Sequence, residues 1–230
     1  MEIKDNSRKK IVEYIKSALS KYEEIECAYI YGSFLTERYN SAKSDIDILL
    51  IVKDSDKPES FIRKIKNEIK DLNHINPDVN VVFYSEFKRR WHVYRPPTYF
   101  LGVKLESILV FGKDLLSEVM DTEIKSEAIF RRAVDLAQSS RGIYLNSKNI
   151  DFWKTKYIKW LRVLVLEILY LEGTFDLSFK SGLKKLIKID GSLEYLNALL
   201  YDEMSMGEIS SISEKLRNHI YSRFIKREDI

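Results

Sequence analysis

Two adjacent residues in the first quarter of the chain could form a phosphate-binding turn. Gly32 and Ser33 directly follow an apolar run from residue 25 to residue 31. Because glycine has no Cβ, the backbone at Gly32 can turn sharply or approach a ligand closely. Ser33 adds a hydroxyl and an N–H where a short helix is expected to begin, and helix N-termini favour anions. The pair therefore predicts a site for phosphate.

A pair of acids follows this turn. Asp45 and Asp47 stand at the start of the apolar run from residue 48 to residue 52. Alternate residues of a strand share a face, so both carboxylates are expected on one side, about 6 to 7 Å apart along the chain. Two such acids repel each other and lose solvation, which costs free energy unless a cation neutralises them. Mg²⁺ suits this place, because it binds carboxylates and substrate phosphates together. Phosphoryl or nucleotidyl transfer, driven by positioning and charge neutralisation, is the chemistry that this combination predicts.

Hydrophobic patterns in the first half of the chain predict the elements that position these residues. A helix, two strands, a second helix and a third strand are predicted over residues 6–21, 25–31, 45–53, 59–72 and 78–84. Irregular or short helical structure is expected over residues 87–112, where a basic cluster adjoins aromatic residues and a proline pair.

Beyond residue 120 the sequence contains no proline and changes to helical patterns. Three apolar stripes at helical spacing begin at Ile129, Trp153 and Ile209, and Gly173 is a helix stop for the second of them. We therefore predict two domains, an α/β domain over residues 1–120 and a helical bundle over residues 121–230.

Composition restricts the classes of partner. The chain has 230 residues, with 38 basic against 35 acidic side chains and a formal net charge of +3. Neither half has the strongly basic balance of a nucleic-acid clamp, which argues against a nucleic-acid acceptor. The composition is compatible with a homo-oligomer.

Cysteine content and apolar runs indicate the compartment. Cys27 is the single cysteine, so no disulfide can form within the chain and a reducing environment is expected. The N-terminal residues are charged and show no apolar signal core, and the most apolar stretch, residues 163–171, is interrupted by Glu167. That stretch is far shorter than the roughly 20 residues of a membrane span. We expect a cytoplasmic protein with no membrane partner.

The stretch from Gly32 to Leu49 resembles the nucleotidyltransferase superfamily of DNA polymerase beta, especially its minimal and aminoglycoside nucleotidyltransferases. The family signature is Gly-Ser, a short spacer and then Asp-x-Asp in an Asp-Ile-Asp-Leu-like strand. Here Gly32-Ser33 is followed by an eleven-residue spacer and then by Asp45-Ile46-Asp47-Ile48. The resemblance covers about residues 8–114. It implies an α+β protein, with a nucleotidyltransferase-type N-terminal α/β domain that contains a small mixed sheet and a C-terminal helical bundle.

The resemblance also implies roles for residues. Gly32 and Ser33 would hold the outer phosphates of a nucleoside triphosphate. Ser44, beside the acid pair, is a further nucleotide-binding candidate. Arg38, within the spacer, either meets the triphosphate or is a solvated surface arginine.

Asp45 and Asp47 are by the same resemblance the catalytic acids that bind Mg²⁺ at the reacting α-phosphate. An acceptor hydroxyl would attack this phosphate and pyrophosphate would leave. We therefore predict a magnesium-dependent nucleotidyltransferase that moves a nucleoside monophosphate, AMP from ATP, to a hydroxyl of a small molecule or a protein.

One acid that family members usually carry is missing. It lies in the middle of the next core strand, and the best register of residues 77–84 puts Asn80 at that place. Asparagine can coordinate Mg²⁺ weakly through its carbonyl oxygen but cannot accept the proton of the acceptor hydroxyl. Asp78, one pleat earlier on the same face, is either a substitute catalytic acid or a turn residue at the strand start. Glu127 and Asp135 in the helical half are the other candidates for the base.

The missing acid leaves a second functional hypothesis open. The chain could be a catalytically weakened nucleotide-binding or protein-interaction module that retains the phosphate-binding turn. On that hypothesis Asn80→Asp should create or raise transfer activity.

Overall fold

The computed structural model describes residues 5–36, 39–40, 44–56, 62–65, 67–68, 76–89, 95–120 and 124–225. The chain forms two compact units. The first comprises Met1–Arg95 and Tyr99–Asp121, and the second comprises Pro96–Thr98 and Thr122–Ile230. The predicted α+β class is confirmed, since a four-stranded mixed sheet is followed along the chain by a helical region.

The first unit contains the sheet and the helices that cover it. Its elements in chain order are α1 (Asn6–Leu19), β1 (Ile25–Tyr31), a 3₁₀ helix (Gly32–Leu35), β2 (Ile46–Val52), β3 (Pro77–Phe83), α2 (Tyr84–Lys88), α3 (Tyr99–Leu105), β4 (Ser107–Gly112) and a second 3₁₀ helix (Leu116–Glu118). The three predicted strands lie within one residue of their predicted bounds. Residues 62–65 and 67–68 are helical, and the other residues of the helix predicted over 59–72 lie outside the described ranges.

The sheet has the strand order β3-β2-β1-β4. β1 runs antiparallel to both β2 and β4, whereas β2 and β3 are parallel. Each face of β2 is covered by a separate apolar cluster, which explains why its sequence is an unbroken apolar run. Ile48 and Leu50 belong to the cluster that includes α1, and Leu49 and Ile51 belong to the cluster that includes α2 and α3. By strand alternation Asp47 lies on the face of Leu49 and Ile51.

The second unit is helical. Its elements are α4 (Ser126–Asn146), α5 (Ile150–Leu171), α6 (Phe179–Ile189), a 3₁₀ helix (Gly191–Leu200), α7 (Met206–Ile220) and a single π-helical segment (Tyr221–Ile225). The three helical stripes seen in the sequence correspond to α4, α5 and α7. Gly173, just after α5, has a φ of +78°, as a helix stop requires. Neither α6 nor the 3₁₀ helix was among the elements predicted from the sequence.

Within the described residues, no helix combines the length and the apolar character that a membrane crossing requires.

Glu167 is a charged residue in the core of the second unit. Its side chain is 0% exposed, and its Oε2 lies 3.3 Å from Arg132 Nε. Thr98 Oγ1 donates to Glu167 Oε1 at 3.5 Å. Burial raises the pKa of Glu167 to about 7, although the Arg132 guanidinium opposes this rise.

This burial predicts that Glu167 makes stability depend on pH. Because its folded pKa lies above the ordinary value of 4.5, the folded chain holds this proton more tightly than the unfolded chain. The stabilisation is complete below about pH 4.5 and is lost as the pH rises through 7, with a magnitude on the order of 3 kcal/mol. We expect Glu167→Gln, which does not titrate, to lose less stability than the wild type between pH 5 and pH 8 in urea unfolding.

Glu203→Gln is the matched control, since Glu203 is an exposed acid of the same unit. It should leave the pH dependence of unfolding unchanged. If Glu167→Gln follows the wild-type pH profile, the carboxyl group does not titrate in this way.

Candidate active site

Gly32 joins the two sequence motifs in space. Its φ is +76°, in the left-handed region that side chains with a Cβ rarely adopt. A Cβ built on Gly32 would lie 2.5 Å from Asp47 Oδ2, much closer than a non-bonded contact allows. The Asp47 carboxylate therefore lies directly against the backbone of the Gly32-Ser33 turn, and only glycine leaves room for it.

The turn is anchored on both sides. Phe34, in the 3₁₀ helix, is fully buried in the apolar cluster of the α1 face. Arg8 of α1 donates from Nη1 to the carbonyl oxygens of Phe34 at 2.9 Å and Thr36 at 2.8 Å. These bonds satisfy carbonyls at the end of the short helix, which would otherwise lack partners. No local pattern marks Arg8 in the sequence, because its contact depends on how α1 packs.

Ser33 presents a hydroxyl that is available to a ligand. Its carbonyl oxygen accepts from the backbone N–H of Thr36 at 3.0 Å and from Thr36 Oγ1 at 2.9 Å. Among the described residues the Ser33 hydroxyl itself has no hydrogen-bond partner. The turn is thus held through its backbone, which leaves this side chain to a ligand.

The acid pair lies at the entry of β2. Asp45 is exposed just before the strand, and its Oδ1 accepts from Asn76 Nδ2 at 3.2 Å. Asp47, the second residue of the strand, is half-buried. Its neighbours in register are Tyr31 on β1 and Asp78 on β3. Asp45, Asp47 and Asp78 therefore lie at the same end of the neighbouring strands β2 and β3.

Charge at this end of the strands is poorly balanced. Burial raises the pKa of Asp47 to about 6, and the nearby Asp78 and Asp45 carboxylates add to this rise. Arg95 opposes the rise, and the pKa of Asp47 nevertheless stays above its ordinary value. A cation would supply what the described groups do not.

A divalent cation fits this donor set only in part. Asp45 and Asp47 offer hard oxygen ligands, which Mg²⁺ and Ca²⁺ prefer. Within the described ranges, however, no group of three or more His, Cys, Asp or Glu side chains is arranged to hold a metal ion. An ion here would take two carboxylates and complete its shell with phosphate oxygens and water, as Mg²⁺ commonly does.

Asp78 and Asn80, the two candidates for the place of the missing acid, differ in their position on β3. Asp78, rather than Asn80, is the register neighbour of Asp47, and Asn80 lies opposite Leu49. The Asn80 amide is engaged at both ends. Its Nδ2 donates to Tyr31 Oη at 2.9 Å, and its Oδ1 accepts from Arg95 Nη2. The amide oxygen that could have coordinated Mg²⁺ is therefore bonded to a guanidinium.

Two tyrosines complete this network. The hydroxyl oxygens of Tyr31 and Tyr99 lie 3.0 Å apart, and the Arg95 guanidinium carbon lies 5.3 Å from the Tyr99 ring centroid. Burial raises the pKa of Tyr31 above its ordinary value, so its hydroxyl stays neutral. Tyr31, Tyr99 and Arg95 were not predicted as site residues, since tyrosines beside other apolar residues indicate core packing and a single arginine carries no signal.

The remaining candidates are placed as follows. Ser44 is bonded to Asn40, because its Oγ accepts from Asn40 N at 3.1 Å and its own N–H donates to Asn40 O at 2.7 Å. Arg38 lies outside the described residues. Glu127 and Asp135 are exposed residues of α4 in the second unit.

Comparisons with known proteins bear on this site. Residues 13–93 match the family described as Polymerase beta, Nucleotidyltransferase, and this range contains the turn, the acid pair and Asn80. No curated protein matches the chain significantly.

Several solved structures are similar to the chain at low identity. One is spectinomycin adenyltransferase AAD(9) from Enterococcus faecialis with ATP and spectinomycin, which is 14% identical, with 93% of this chain and 98% of that chain covered and a TM-score of 0.48. A nucleotidyltransferase-like protein from Exiguobacterium sibiricum 255-15 is 12% identical, with 93% and 74% covered and a TM-score of 0.41. A chain of the tri-AMPylated Shewanella oneidensis HEPN toxin in complex with MNT antitoxin is 16% identical, with 48% and 77% covered and a TM-score of 0.32. At these values the likenesses do not bear on what this chain binds.

The family match confirms the superfamily and the enzyme class predicted from the sequence. It falls on the segment where the Gly32-Ser33 turn and the Asp47 carboxylate meet. Residues 13–93 of this chain therefore carry a nucleotidyltransferase domain of the polymerase beta type.

Proposed function

We propose that this chain transfers a nucleoside monophosphate, AMP from ATP, to an acceptor hydroxyl in a magnesium-dependent reaction that releases pyrophosphate. One observation carries the proposal. The backbone of the Gly32-Ser33 turn and the Asp47 carboxylate are in direct contact, because the space that a Cβ would fill at Gly32 is taken by Asp47 Oδ2. A phosphate held by the turn would thus lie beside the acid pair.

The residues of the turn bind and orient the triphosphate. The Gly32 backbone can approach phosphate oxygens closely, and the Ser33 hydroxyl is available to donate to them. Arg8 keeps the end of this turn in place through its bonds to Phe34 and Thr36. Precise placement of the reacting phosphate supplies a large part of the rate in this chemistry.

Asp45 and Asp47 would hold Mg²⁺ beside the reacting phosphate. When bound, the ion neutralises charge on the phosphate oxygens and so favours attack. Of the two ligands, Asp47 depends more strongly on the bound ion, since its half-buried carboxylate requires a compensating charge.

The acceptor hydroxyl must lose a proton as its oxygen forms a bond to the α-phosphorus and the bond from that phosphorus to the bridging oxygen breaks. Asp78 is our candidate for the base. It is exposed, lies opposite Asp47 in register and carries a carboxylate, which Asn80 does not. Pyrophosphate leaves with the bridging oxygen.

The acceptor class that we propose is a small molecule or a protein. The formal net charge of +3 lacks the basic excess that binding a nucleic-acid backbone exploits. Cys27 is buried and unpaired, which supports a reducing compartment, and we propose the cytoplasm.

Labelled ATP provides the test of the acceptor class. The chain is incubated with α-labelled ATP, Mg²⁺ and a cell extract, and the label is then sought separately in small molecules, protein and nucleic acid. We expect labelled small molecules or protein, and no labelled product with excess chelator or with Asp45→Asn. Label confined to nucleic acid would contradict the proposed acceptor class.

A further inference from the structure

We propose that Arg95 is a phosphate-binding residue of this site and that Asn80 holds its guanidinium in place without neutralising its charge. The inference rests on the proposed function, because it takes a nucleoside triphosphate as the ligand. It gives Asn80 a positioning role in place of that of a lost catalytic acid.

The orientation of the Asn80 amide is determined by its partners. An arginine side chain can only donate, so the atom that meets Arg95 Nη2 must be the amide oxygen, Oδ1. The amide nitrogen then donates to Tyr31 Oη at 2.9 Å. Because Tyr31 Oη also lies 3.0 Å from Tyr99 Oη, the amide is held on its far side by a second fixed group. Asn80 is thus a rigid acceptor for the guanidinium.

The Tyr99 ring restrains the same guanidinium from another direction. The Arg95 Cζ lies 5.3 Å from the ring centroid, within the range of a cation–π contact. Tyr99 is 8% exposed and packs in the apolar cluster that covers this face of the sheet. A long side chain that would otherwise lose rotamer freedom on binding a ligand is therefore held in position beforehand.

The Arg95 guanidinium is not neutralised by a close ion pair within the described residues, although its charge acts on Asp47 at longer range. In the described part of the chain no carboxylate forms an ion pair with this guanidinium. Asn80 is neutral and accepts from one of the five guanidinium N–H groups. The other N–H groups can still donate to a ligand, and the guanidinium keeps its full positive charge. An aspartate at position 80 would instead form a charge-neutralising pair.

Arg95 acts at the end of β2 and β3 where the acids lie. Its charge influences Asp47, whose carboxylate lies against the Gly32 backbone. The residue that holds it, Asn80, is bonded to Tyr31, the register neighbour of Asp47. A triphosphate seated on the turn would therefore meet a guanidinium on the Asp47 side.

Calorimetric titration with α,β-methylene-ATP and Mg²⁺ tests this role, because the analogue cannot undergo transfer. We expect Arg95→Met to weaken binding about tenfold or more, since charge-assisted hydrogen bonds to phosphate are lost. Arg95→Lys should retain part of the affinity. As a single substitution, Asn80→Asp should weaken binding of the analogue. In the Arg95→Met background the same substitution should lower the affinity much less, because no cation is left to neutralise.

Lys113→Met is the matched control, because it removes one positive charge from an exposed position of the same unit. The Kd of Lys113→Met for the analogue should lie within about twofold of the wild-type value. Thermal unfolding of each variant verifies that it is folded at the titration temperature.

The outcomes separate the two proposals. Wild-type affinity in Arg95→Met, or tighter binding by Asn80→Asp, overturns this inference while leaving the proposed function intact. Faster AMP transfer by Asn80→Asp than by the wild type would likewise overturn this inference and leave the proposed function intact. If the wild-type chain binds no nucleoside triphosphate at all, both proposals fail.

Discussion

Asp47→Asn should abolish nucleotidyl transfer and at the same time stabilise the metal-free protein at neutral pH. Both effects have one cause. The Asp47 carboxylate is half-buried beside two other acids, so its ionised form costs free energy in the absence of a bound cation. The same charge is the proposed metal ligand, and its loss should reduce transfer more than about a hundredfold.

The direction of the stability change follows from the raised pKa. Burial moves the pKa of Asp47 from 3.8 to about 6, so the folded chain binds this proton more tightly than the unfolded chain. Stability is therefore greatest below about pH 4 and falls as the pH rises through 6. Asparagine does not titrate, so the variant should gain on the order of 2 kcal/mol over the wild type at pH 7.5.

Thermal unfolding in the presence of a chelator measures this gain. The difference between Asp47→Asn and the wild type should be clear at pH 7.5 and smaller at pH 4.5. Asp45→Asn is the matched control, because Asp45 is exposed and its replacement should lower transfer without a comparable gain in stability. Transfer by Asp47→Asn at near wild-type rates would contradict the assigned role.

Gly32→Ala should remove transfer for a steric reason. The new Cβ would lie 2.5 Å from Asp47 Oδ2, so the carboxylate or the turn must move. The backbone conformation, with φ at +76°, adds a cost of about 1 to 2 kcal/mol for any residue with a Cβ. We expect a loss of transfer of more than about a hundredfold, since small displacements in a phosphoryl-transfer site are costly.

Gly142→Ala is the matched control for Gly32→Ala. Gly142 is an exposed residue of α4, and nothing lies within 4 Å of a Cβ built there. Alanine in a helix interior should leave stability unchanged or raise it by up to about 1 kcal/mol. Steady-state transfer and urea unfolding of both variants measure the contrast. Full activity in Gly32→Ala would mean that the turn and Asp47 do not form one site.

Local sequence patterns predicted much of the first unit. The apolar runs that became β1 and β2 are continuous because both faces of these strands are covered. The spacing between the Gly-Ser pair and the acid pair carried the family resemblance, and the family match confirms it. The contact between Gly32 and Asp47 follows from this topology, since Gly32 directly follows β1 and β1 pairs with β2, the strand that carries Asp47.

Long-range contacts account for what could not be predicted. Asn80 appeared only as a substitute for an acid, because its bonds to Arg95 and Tyr31 join residues from three separate segments. The contact of Arg8 with the turn likewise spans 26 residues to Phe34 and depends on the docking of α1. No periodicity or spacing records such pairings, and they become visible only in three dimensions.

In the proposed reaction ATP is cleaved between its α- and β-phosphates, and the acceptor keeps the α-phosphate. ATP labelled with different isotopes at the α- and γ-phosphates tests this directly in one reaction with Mg²⁺ and a cell extract. Beyond the labelling that the extract alone produces, we expect the α label in the acceptor and the γ label in pyrophosphate, and neither with Asp47→Asn. Transfer of the γ label to the acceptor, or release of the γ label as inorganic phosphate alone, would contradict it.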